Sequence, residues 1–245
     1  MPMFSNIYTT QAKKVFDPGL RKYFLSIYNY IALALVITGI SAFGALNFEP
    51  LTRMLYNVGP GGMIYGVTSF GWLMNFMPLL ISIYMSSNYH AMNSQKSQML
   101  FWIYSASIGI SISWVGLVYT GASLVKTFFI CAAAFSSISI YGYTTERDLT
   151  SAGAFFSMGL LAIFVASLIN MLIGSAQLYF ITSFLGIFIF LGLIAWDTQR
   201  LKAIYYASGG GEIGQKQAVF AALFIYTNII NLFLSLLSFF GERRR

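Results

Sequence analysis

Asp197 is the one acidic residue that touches the end of an apolar run in this sequence, within Ala195-Trp196-Asp197-Thr198-Gln199-Arg200. That run is long enough to cross a bilayer. A carboxylate near the bilayer centre costs about 2.5–3.5 kcal/mol on insertion scales, so it normally faces a cavity or a partner. Two interpretations stay open: Asp197 is a proton sensor or cation ligand, or it marks the cytoplasmic interface and forms an ion pair with Arg200 one turn later.

The last apolar stretch carries a polar seam made of Asn228, Asn231, Ser235 and Ser238. Intervals of three, four and three residues place these side chains on one face of a helix. Such a seam either bonds to neighbouring helices, which is the more frequent case, or lines a wet pathway. Asn170 and Asn75, in two other apolar runs, are candidates for the same interior network. Amides orient and coordinate ligands but do not titrate.

The composition places these residues in a membrane protein. Of 245 residues, 58% are hydrophobic and only 9% are charged, whereas a soluble domain carries about 25% charged residues. Seven spans of about 20 residues each would use most of the apolar content, and the remainder suffices for tails and loops. The sequence therefore predicts an all-α integral membrane protein with a single seven-helix transmembrane domain.

Residue types that occur once or not at all exclude several chemistries. A single cysteine, Cys131, excludes internal disulfides and thiolate metal clusters, and a single histidine, His90, excludes a His-rich zinc site. The residues of familiar membrane proteases and of retinal proteins are missing from the spans. The net charge of +7 comes from basic residues lying mainly between apolar runs, which indicates contact with anionic lipid rather than with nucleic acid. We expect that the protein is not an enzyme and binds no cofactor, and that its partner is the lipid bilayer.

The apolar runs predict seven spans joined by loops of different kinds. The spans are expected at about 23–47, 64–87, 100–120, 125–143, 153–173, 178–197 and 218–240. Glycine, proline and charged residues predict loops over 48–63 and 198–217, and the short connection at Gly174 to Gln177 predicts a tight hairpin. The expected organisation is an N-terminal tail over 1–24, one transmembrane domain over 25–240 and a basic C-terminal tail over 241–245.

The basic residues favour a cytoplasmic N-terminus. With seven crossings, nine of the 14 would lie inside: Lys13, Lys14, Arg21, Lys22, Lys96, Arg147, Arg200, Lys202 and Lys216. The other five would lie outside: Arg53, Lys126, Arg243, Arg244 and Arg245. A re-entrant last stretch would move the C-terminal arginine triplet inside, giving twelve against two. Seven full crossings are preferred because 218–240 is long enough to span.

Four stretches occur together and in order along the chain. They are VYTGAS at Val118–Ser123, YGYTTERDL at Tyr141–Leu149, GLIAWDTQR at Gly192–Arg200, and IINLFLSLL at Ile229–Leu237 followed by Gly241–Arg244. From about Arg21 to the C-terminus, the sequence resembles bacterial members of the Bax inhibitor-1 (TMBIM) family. Each motif alone would be weak, whereas the joint match in order is specific.

The resemblance implies a seven-helix bundle with the last helix central and a pH-sensitive calcium leak across the membrane. In that family two aspartates, one after span six and one in the last span, share hydrogen bonds and close the pathway. Asp197 falls on the first position. The second lies in the family pattern Leu-Tyr-Leu-Asp-Phe-Ile-Asn-Leu-Phe, which here reads IYTNIINLF at Ile225–Phe233, so Asn228 replaces the aspartate. Asn75 and Ser86 stand where some relatives carry a glutamate and an arginine.

Two functions are therefore expected. The first is an ion leak with Ca²⁺ as the permeant ion in transient contact with Asp197. It is weakened or altered because Asn228 cannot share a proton and brings no second negative charge. The second is a non-conducting regulator of stress responses that binds a membrane-bound ATP-dependent protease, since some bacterial relatives are associated with one. The polar seam favours the leak, and the motifs imply a bacterial inner membrane.

Overall fold

A computed structural model describes residues 18–59, 64–208 and 212–244. Its helices are α1 Pro18–Asn47, α2 Glu49–Leu55, α3 Ser69–Ser87, α4 Ser94–Ser111, α5 Val115–Val118, α6 Gly121–Thr144, α7 Thr150–Ile173, α8 Ala176–Ser208 and α9 Glu212–Phe240. Two short antiparallel strands are β1 Tyr56–Val58 and β2 Ile64–Val67, and a 3₁₀ turn covers Tyr89–Ala91. Most of the predicted N-terminal tail, with Lys13 and Lys14, lies outside the described residues, as does Arg245.

Seven helical segments are long and apolar enough to cross a bilayer by length and composition. They are α1, α3, α4 continued by α5, α6, α7, Ala176–Ala207 of α8 and Gly214–Phe240 of α9. The prediction of an all-α, seven-span membrane protein is confirmed. The hairpin expected between spans five and six is also present, because α7 ends at Gly174, whose φ of 68° only glycine adopts without strain.

Helix α9 is the centre of the bundle, as expected. It packs against α8, α1, α6 and α4. In its most apolar window 72% of the residues are buried, compared with 33% or less in the other six spans. The reason is local: every residue from Ala218 to Leu223 is apolar and buried, and a helix that is apolar all round is stable only when other helices surround it.

Helix α8 is longer than the sequence predicted. The expected loop over 198–217 is wrong, since α8 continues to Ser208 and α9 begins at Glu212. The charges of Arg200 and Lys202 suggested a loop, but both residues are good helix formers. Lys202 also donates from Nζ to the carbonyl oxygen of Tyr143 at 2.8 Å, which satisfies the C-terminal end of α6.

The segment expected as a loop over 48–63 is partly structured. Pro50 stands in the first turn of α2, where its missing N–H costs nothing, so proline begins a helix here rather than only preventing one. The chain then forms the β1–β2 pair and enters α3, whose first turn is capped by the Thr68 hydroxyl accepting from the Gly71 N–H at 3.0 Å.

The last helix crosses the whole bundle. Near its start, Lys216 Nζ donates to the carbonyl oxygen of Tyr89, in the turn that precedes α4. Beyond its end, the Arg244 N–H donates to the carbonyl of Val118, the last residue of α5, at 2.8 Å. These two contacts lie at opposite ends of the α4–α5 span. The re-entrant alternative is therefore wrong, and the preferred full crossing stands.

Candidate functional site

Asp197 and Asn228 meet at the interface of α8 and α9. Asn228 Nδ2 donates to Asp197 Oδ2 at 2.9 Å. Both side chains are nearly buried, with 9% and 8% of their surface exposed. The two positions that the family resemblance paired are thus in contact, with an amide in the place of the second carboxylate. An amide donates to an ionised carboxylate without itself gaining or losing a proton.

Close helix packing holds the carboxylate in place. Ala195 lies against α6. A Cβ added to Gly142 of α6 would come 2.4 Å from the carbonyl oxygen of Ala195. Trp196 itself packs on α7 at Gly153, which leaves no room for a Cβ beneath the indole ring. Helices α6 and α7 thus hold α8 at Ala195 and Trp196. The Asp197 carboxylate lies on the remaining side, which faces α9.

Two adjoining cavities converge on this pair. One, of about 260 Å³, extends towards Tyr89 and Gln217 at the start of α9. The other, of about 320 Å³, extends deeper to Tyr104 and Thr227. Both are lined by the same four residues at their junction, namely Ser86, Asp197, Arg200 and Phe224. Asp197 therefore lies on the wall that the two cavities share.

Phe224 marks an opening in the bundle at that junction. It is 50% exposed, although α9 is the central helix. Within 218–230 it is the one exposed residue, and its neighbours in sequence are buried. On one side of the opening stands α3, which packs on α4, and on the other stands α7, which packs on α8. The cavities are thus open sideways between α3 and α7.

Arg200 does not form the predicted ion pair with Asp197. Among the described contacts, its guanidinium instead lies over the Trp196 ring, 5.3 Å from the ring centroid. Side chains on a helix lean towards its N-terminus and cover the residue four positions earlier. That geometry brings Arg200 onto Trp196, which also offers a cation–π contact. Arg200 remains exposed, and it is one of the residues that line both cavities.

The rest of the polar seam binds α8 rather than lining the cavities. Ser238 and Tyr179 share a hydrogen bond of 2.6 Å between their hydroxyl groups. Ser235 lies against Gly186, where an added Cβ would come 2.7 Å from its Oγ. The seam is interhelical contact because it runs along the face that α9 turns to α8.

The other residues predicted to line a pore do not reach the site. Four of them line neither of the two cavities: Asn231, Ser235, Asn170 and Asn75. Asn170 has a buried Oδ1 without a hydrogen-bond partner in the structure, and Asn75 lies half-buried on α3. Helical periodicity identified the polar face of α9 correctly, but it could not say that only the Asn228 end of that face borders open space.

Sequence reasoning missed the hydroxyl groups at the closed end of the deeper cavity. Tyr104 and Thr227 bond to each other at 2.8 Å between α4 and α9. One residue earlier on α9, the Tyr226 hydroxyl lies 2.5 Å from Thr38 Oγ1 of α1. Tyr226 was matched to the family pattern, but no spacing in the sequence links it to Thr38 or Tyr104.

The site offers little for a resident metal ion. In residues 18–59, 64–208 and 212–244, no three histidine, cysteine, aspartate or glutamate side chains come together. A cation at the cavity junction would meet the Asp197 carboxylate and the Ser86 hydroxyl, with Asn228 in the deeper cavity and the positively charged Arg200 beside them. Hard cations prefer six or more oxygen ligands, several of them charged, so this donor set fits a passing cation better than a bound one.

A seven-span bundle whose buried central helix meets a lone carboxylate beside open cavities defines a multi-pass integral membrane protein with a polar site inside its bilayer portion. The chain belongs to the Bax inhibitor-1 family, since the family model described as "Inhibitor of apoptosis-promoting Bax1" matches residues 20–245. The three relatives described next are bacterial, and the resemblance seen in the motifs is confirmed.

Three relatives cover nearly the whole chain. The uncharacterized protein RP147 of Rickettsia prowazekii is 46% identical over 96% of both chains. An uncharacterized protein of Caulobacter vibrioides is 42% identical, over 93% of this chain and 91% of its own. The inner membrane protein YbhL of Escherichia coli K12 is 33% identical, over 92% and 94%. The name of YbhL places that relative in the inner membrane, and none of the three names states an enzymatic activity.

Proposed function

We propose that this protein is a non-enzymatic cation leak channel of the bacterial inner membrane, with Ca²⁺ as the permeant ion and Asp197 as its pH-modulated gate. The observation that carries the proposal is the buried Asp197–Asn228 hydrogen bond at the junction of the two cavities. Asp197 is the one acidic side chain among the residues that line the two cavities, and a carboxylate on the wall of a pathway favours cations. The likeness to YbhL supports the inner membrane, and the nine-to-five distribution of basic residues supports a cytoplasmic N-terminus.

The proposed pathway begins at the Tyr89 and Gln217 end of the first cavity. A cation passes Asp197 at the junction and enters the chamber that ends at Tyr104 and Thr227. Beyond that point the hydroxyl pairs Tyr104–Thr227 and Tyr226–Thr38 join α9 to α4 and α1. The present arrangement is thus the closed state, and conduction requires α9 to move relative to those helices.

Protonation acts on this gate through the contact between α8 and α9. Ionised Asp197 accepts from Asn228 and attracts a cation, whereas protonated Asp197 does neither as well. Because Asn228 keeps its hydrogens at every pH, the contact responds less steeply to acid than two aspartates that share one proton. We expect a leak that is weaker, and less dependent on pH, than in relatives with two aspartates.

A flux assay in proteoliposomes tests the proposal. Entrapped Ca²⁺ indicator is followed at several pH values for the unchanged protein and for Asn228→Asp. The expected results are a steeper pH dependence for Asn228→Asp and a loss of flux for Asp197→Asn. Asn231→Asp is the matched control, because it adds the same acid to α9 away from both cavities, and it should leave the pH profile unchanged. Equally steep profiles in the unchanged protein and Asn228→Asp would overturn the role given to the pair.

A second candidate is a non-conducting regulator that binds a membrane-bound ATP-dependent protease. The observation that favours it is the closed end of the deeper cavity, together with the missing second carboxylate. This candidate predicts Ca²⁺ flux at the level of empty liposomes, unaffected by Asp197→Ala, and co-purification of a protease from the native membrane. Flux that Asp197→Ala abolishes would reject it.

A further inference from the structure

Two opposite charges face the same cavities without pairing. Asp197 and Arg200 stand three residues apart on α8, and both line both cavities. Asp197 accepts a hydrogen bond from Asn228, and the Arg200 guanidinium lies over the Trp196 ring. A guanidinium that lines a cavity with its N–H groups free of protein carboxylates can bind an anionic group, and a nearby carboxylate can bind a cationic one. The pair therefore suits a ligand that carries both charges.

The depth of Arg200 in the bundle corresponds to the lipid headgroups. The preceding residue, Gln199, binds the turn between α6 and α7. Its Nε2 donates to the Arg147 carbonyl at 2.7 Å, and its Oε1 accepts from the Leu149 N–H at 2.9 Å. Residues 199 and 200 are thus level with the turn where two spans leave the bilayer. Asp197 lies about 4.5 Å deeper along the helix axis.

The cavities are also accessible to lipid. The opening between α3 and α7 exposes Phe224 of the central helix. Apolar walls continue from it into the deeper cavity, where Leu160 and Leu193 lie beside the ring. The deeper cavity has further polar groups at Tyr104 and Thr227, and at the headgroup end Ser86 of α3 lines both cavities together with Asp197 and Arg200. A headgroup that enters there can leave its acyl chain along the apolar walls.

We propose that this cleft binds the headgroup of phosphatidylethanolamine. Its phosphate lies on Arg200 and the Ser86 hydroxyl, its primary ammonium group donates to Asp197, and its acyl chain follows Phe224 and Leu160. Charge complementarity selects this lipid, because the presence of Asn228 leaves one negative and one positive side chain at the junction. A headgroup with a net negative charge would leave the carboxylate unmatched, and a quaternary ammonium group cannot donate hydrogen bonds to it.

Lipid retention measured by native mass spectrometry tests the proposal. The full-length protein is taken from vesicles containing equal amounts of phosphatidylethanolamine, phosphatidylglycerol and phosphatidylcholine. We expect phosphatidylethanolamine to be retained preferentially, and Arg200→Gln to reduce that retention about tenfold, as loss of a charge-assisted contact implies. Arg147→Gln is the control, since it removes the same charge at the same end of the bundle from an exposed turn. Asp197→Asn should abolish the preference over phosphatidylcholine.

Other outcomes contradict the proposal directly. Preferential retention of phosphatidylglycerol would assign the cleft to anionic lipid in general, and equal losses in Arg200→Gln and Arg147→Gln would assign the effect to surface charge. Retention of lipid is measured without ion flux. A protein that binds phosphatidylethanolamine but does not conduct would therefore separate the failure of the leak from the failure of this site.

Discussion

The hydroxyl groups of Tyr226 and Thr38 lie 2.5 Å apart, and these side chains are 0% and 4% exposed. Thr38 Oγ1 also lies 3.1 Å from the carbonyl oxygen of Ser105, to which it can donate. A single threonine of α1 thus contacts both α4 and the central helix, two residues along α9 from Asn228. This contact joins three helices at the closed end of the proposed pathway.

Tyr226→Phe is expected to destabilise the protein by about 1 kcal/mol, because side-chain hydrogen bonds between membrane helices contribute about 0.6–1.7 kcal/mol. The ring stays, so packing against Phe101 and Tyr104 is kept. Thermal unfolding in detergent measures the change. Tyr141→Phe, at a side chain that is 45% exposed, is the control and should have little effect. In a double-mutant cycle, Thr38→Val should reduce stability less in the Tyr226→Phe background than in the unchanged protein. Additive losses of stability would show that the two hydroxyls do not interact.

Gly142→Ala is expected to destabilise the protein by about 1–3 kcal/mol, because its new Cβ would lie 2.4 Å from the Ala195 carbonyl oxygen and would force α6 away from α8. Gly39→Ala, also inside a span, has no other atom within 4 Å of the new Cβ. That control should be neutral or slightly stabilising, since alanine is the better helix former. Unfolding temperatures of the two variants decide the matter, and equal values would show that α6 and α8 do not approach so closely.

The sequence predicted the helices well because lipid imposes one simple condition on each of them. About 20 apolar residues mark a span, and seven such runs are the seven spans of the structure. The predictions were wrong outside the apolar runs, where the bilayer no longer imposes this condition. Lys202 lies beyond the apolar run, where α8 nevertheless continues to Ser208, and its bond to the Tyr143 carbonyl depends on a neighbouring helix.

The site was predictable in part for a similar reason. Asp197 stands out because membranes contain few carboxylates, and Asn228 stands out through helical periodicity and the family pattern. The remaining features depend on which faces of the helices meet. Thr38 and Tyr104 are unremarkable in sequence, and the direction of Arg200 is decided by an aromatic ring one turn earlier. No pattern along a single helix contains that information.

The C-terminal tail and the turn after α5 are expected on the same side of the membrane. The Thr120 N–H donates to the Glu242 carbonyl at 3.0 Å, and Tyr119 and Arg243 form a β-bridge. In a Cys131→Ser background, single cysteines at Gly121 and Arg243 should both react with an impermeant maleimide added to intact cells. A cysteine at Glu146 should react only after lysis. Labelling of only one of the first two would contradict the full crossing of α9, and reversal of all three would contradict a cytoplasmic N-terminus.

Asp148 provides a pH dependence at the start of α7. The Thr150 hydroxyl and the Thr150 N–H, which lies 2.9 Å from Oδ1, hold the pKa of the Asp148 carboxyl below its usual range. The folded pKa is depressed, so the contact stabilises the turn above the ordinary pKa of aspartate and is lost as the pH falls through the lowered value. We expect the Thr150 amide resonance to titrate in acid. Asp148→Asn keeps an acceptor that does not titrate, and a titration that persists in this variant would assign it to another group.

Asn228→Asp should make the stability of the protein depend on pH. The substitution places a second carboxylate at the position from which Nδ2 now reaches Asp197 Oδ2 at 2.9 Å. Two carboxyl groups in contact are stable while they share a proton and repel each other when both are ionised. The folded state then binds more protons than the unfolded state, so the unfolding temperature should fall as the pH rises between about 5 and 8.

Unfolding scans of the unchanged protein, Asn228→Asp and the control Asn231→Asp test this dependence across the same pH range. The unchanged protein should vary less, because Asp197 contacts an amide that does not titrate rather than a second carboxylate. Asn231→Asp adds an equal charge to the same helix face away from the cavities, and its pH dependence should be shallower than that of Asn228→Asp. Parallel curves for all three would mean that the two side chains separate freely, and that packing between α8 and α9, rather than the Asp197–Asn228 contact, keeps these helices together at the junction of the cavities.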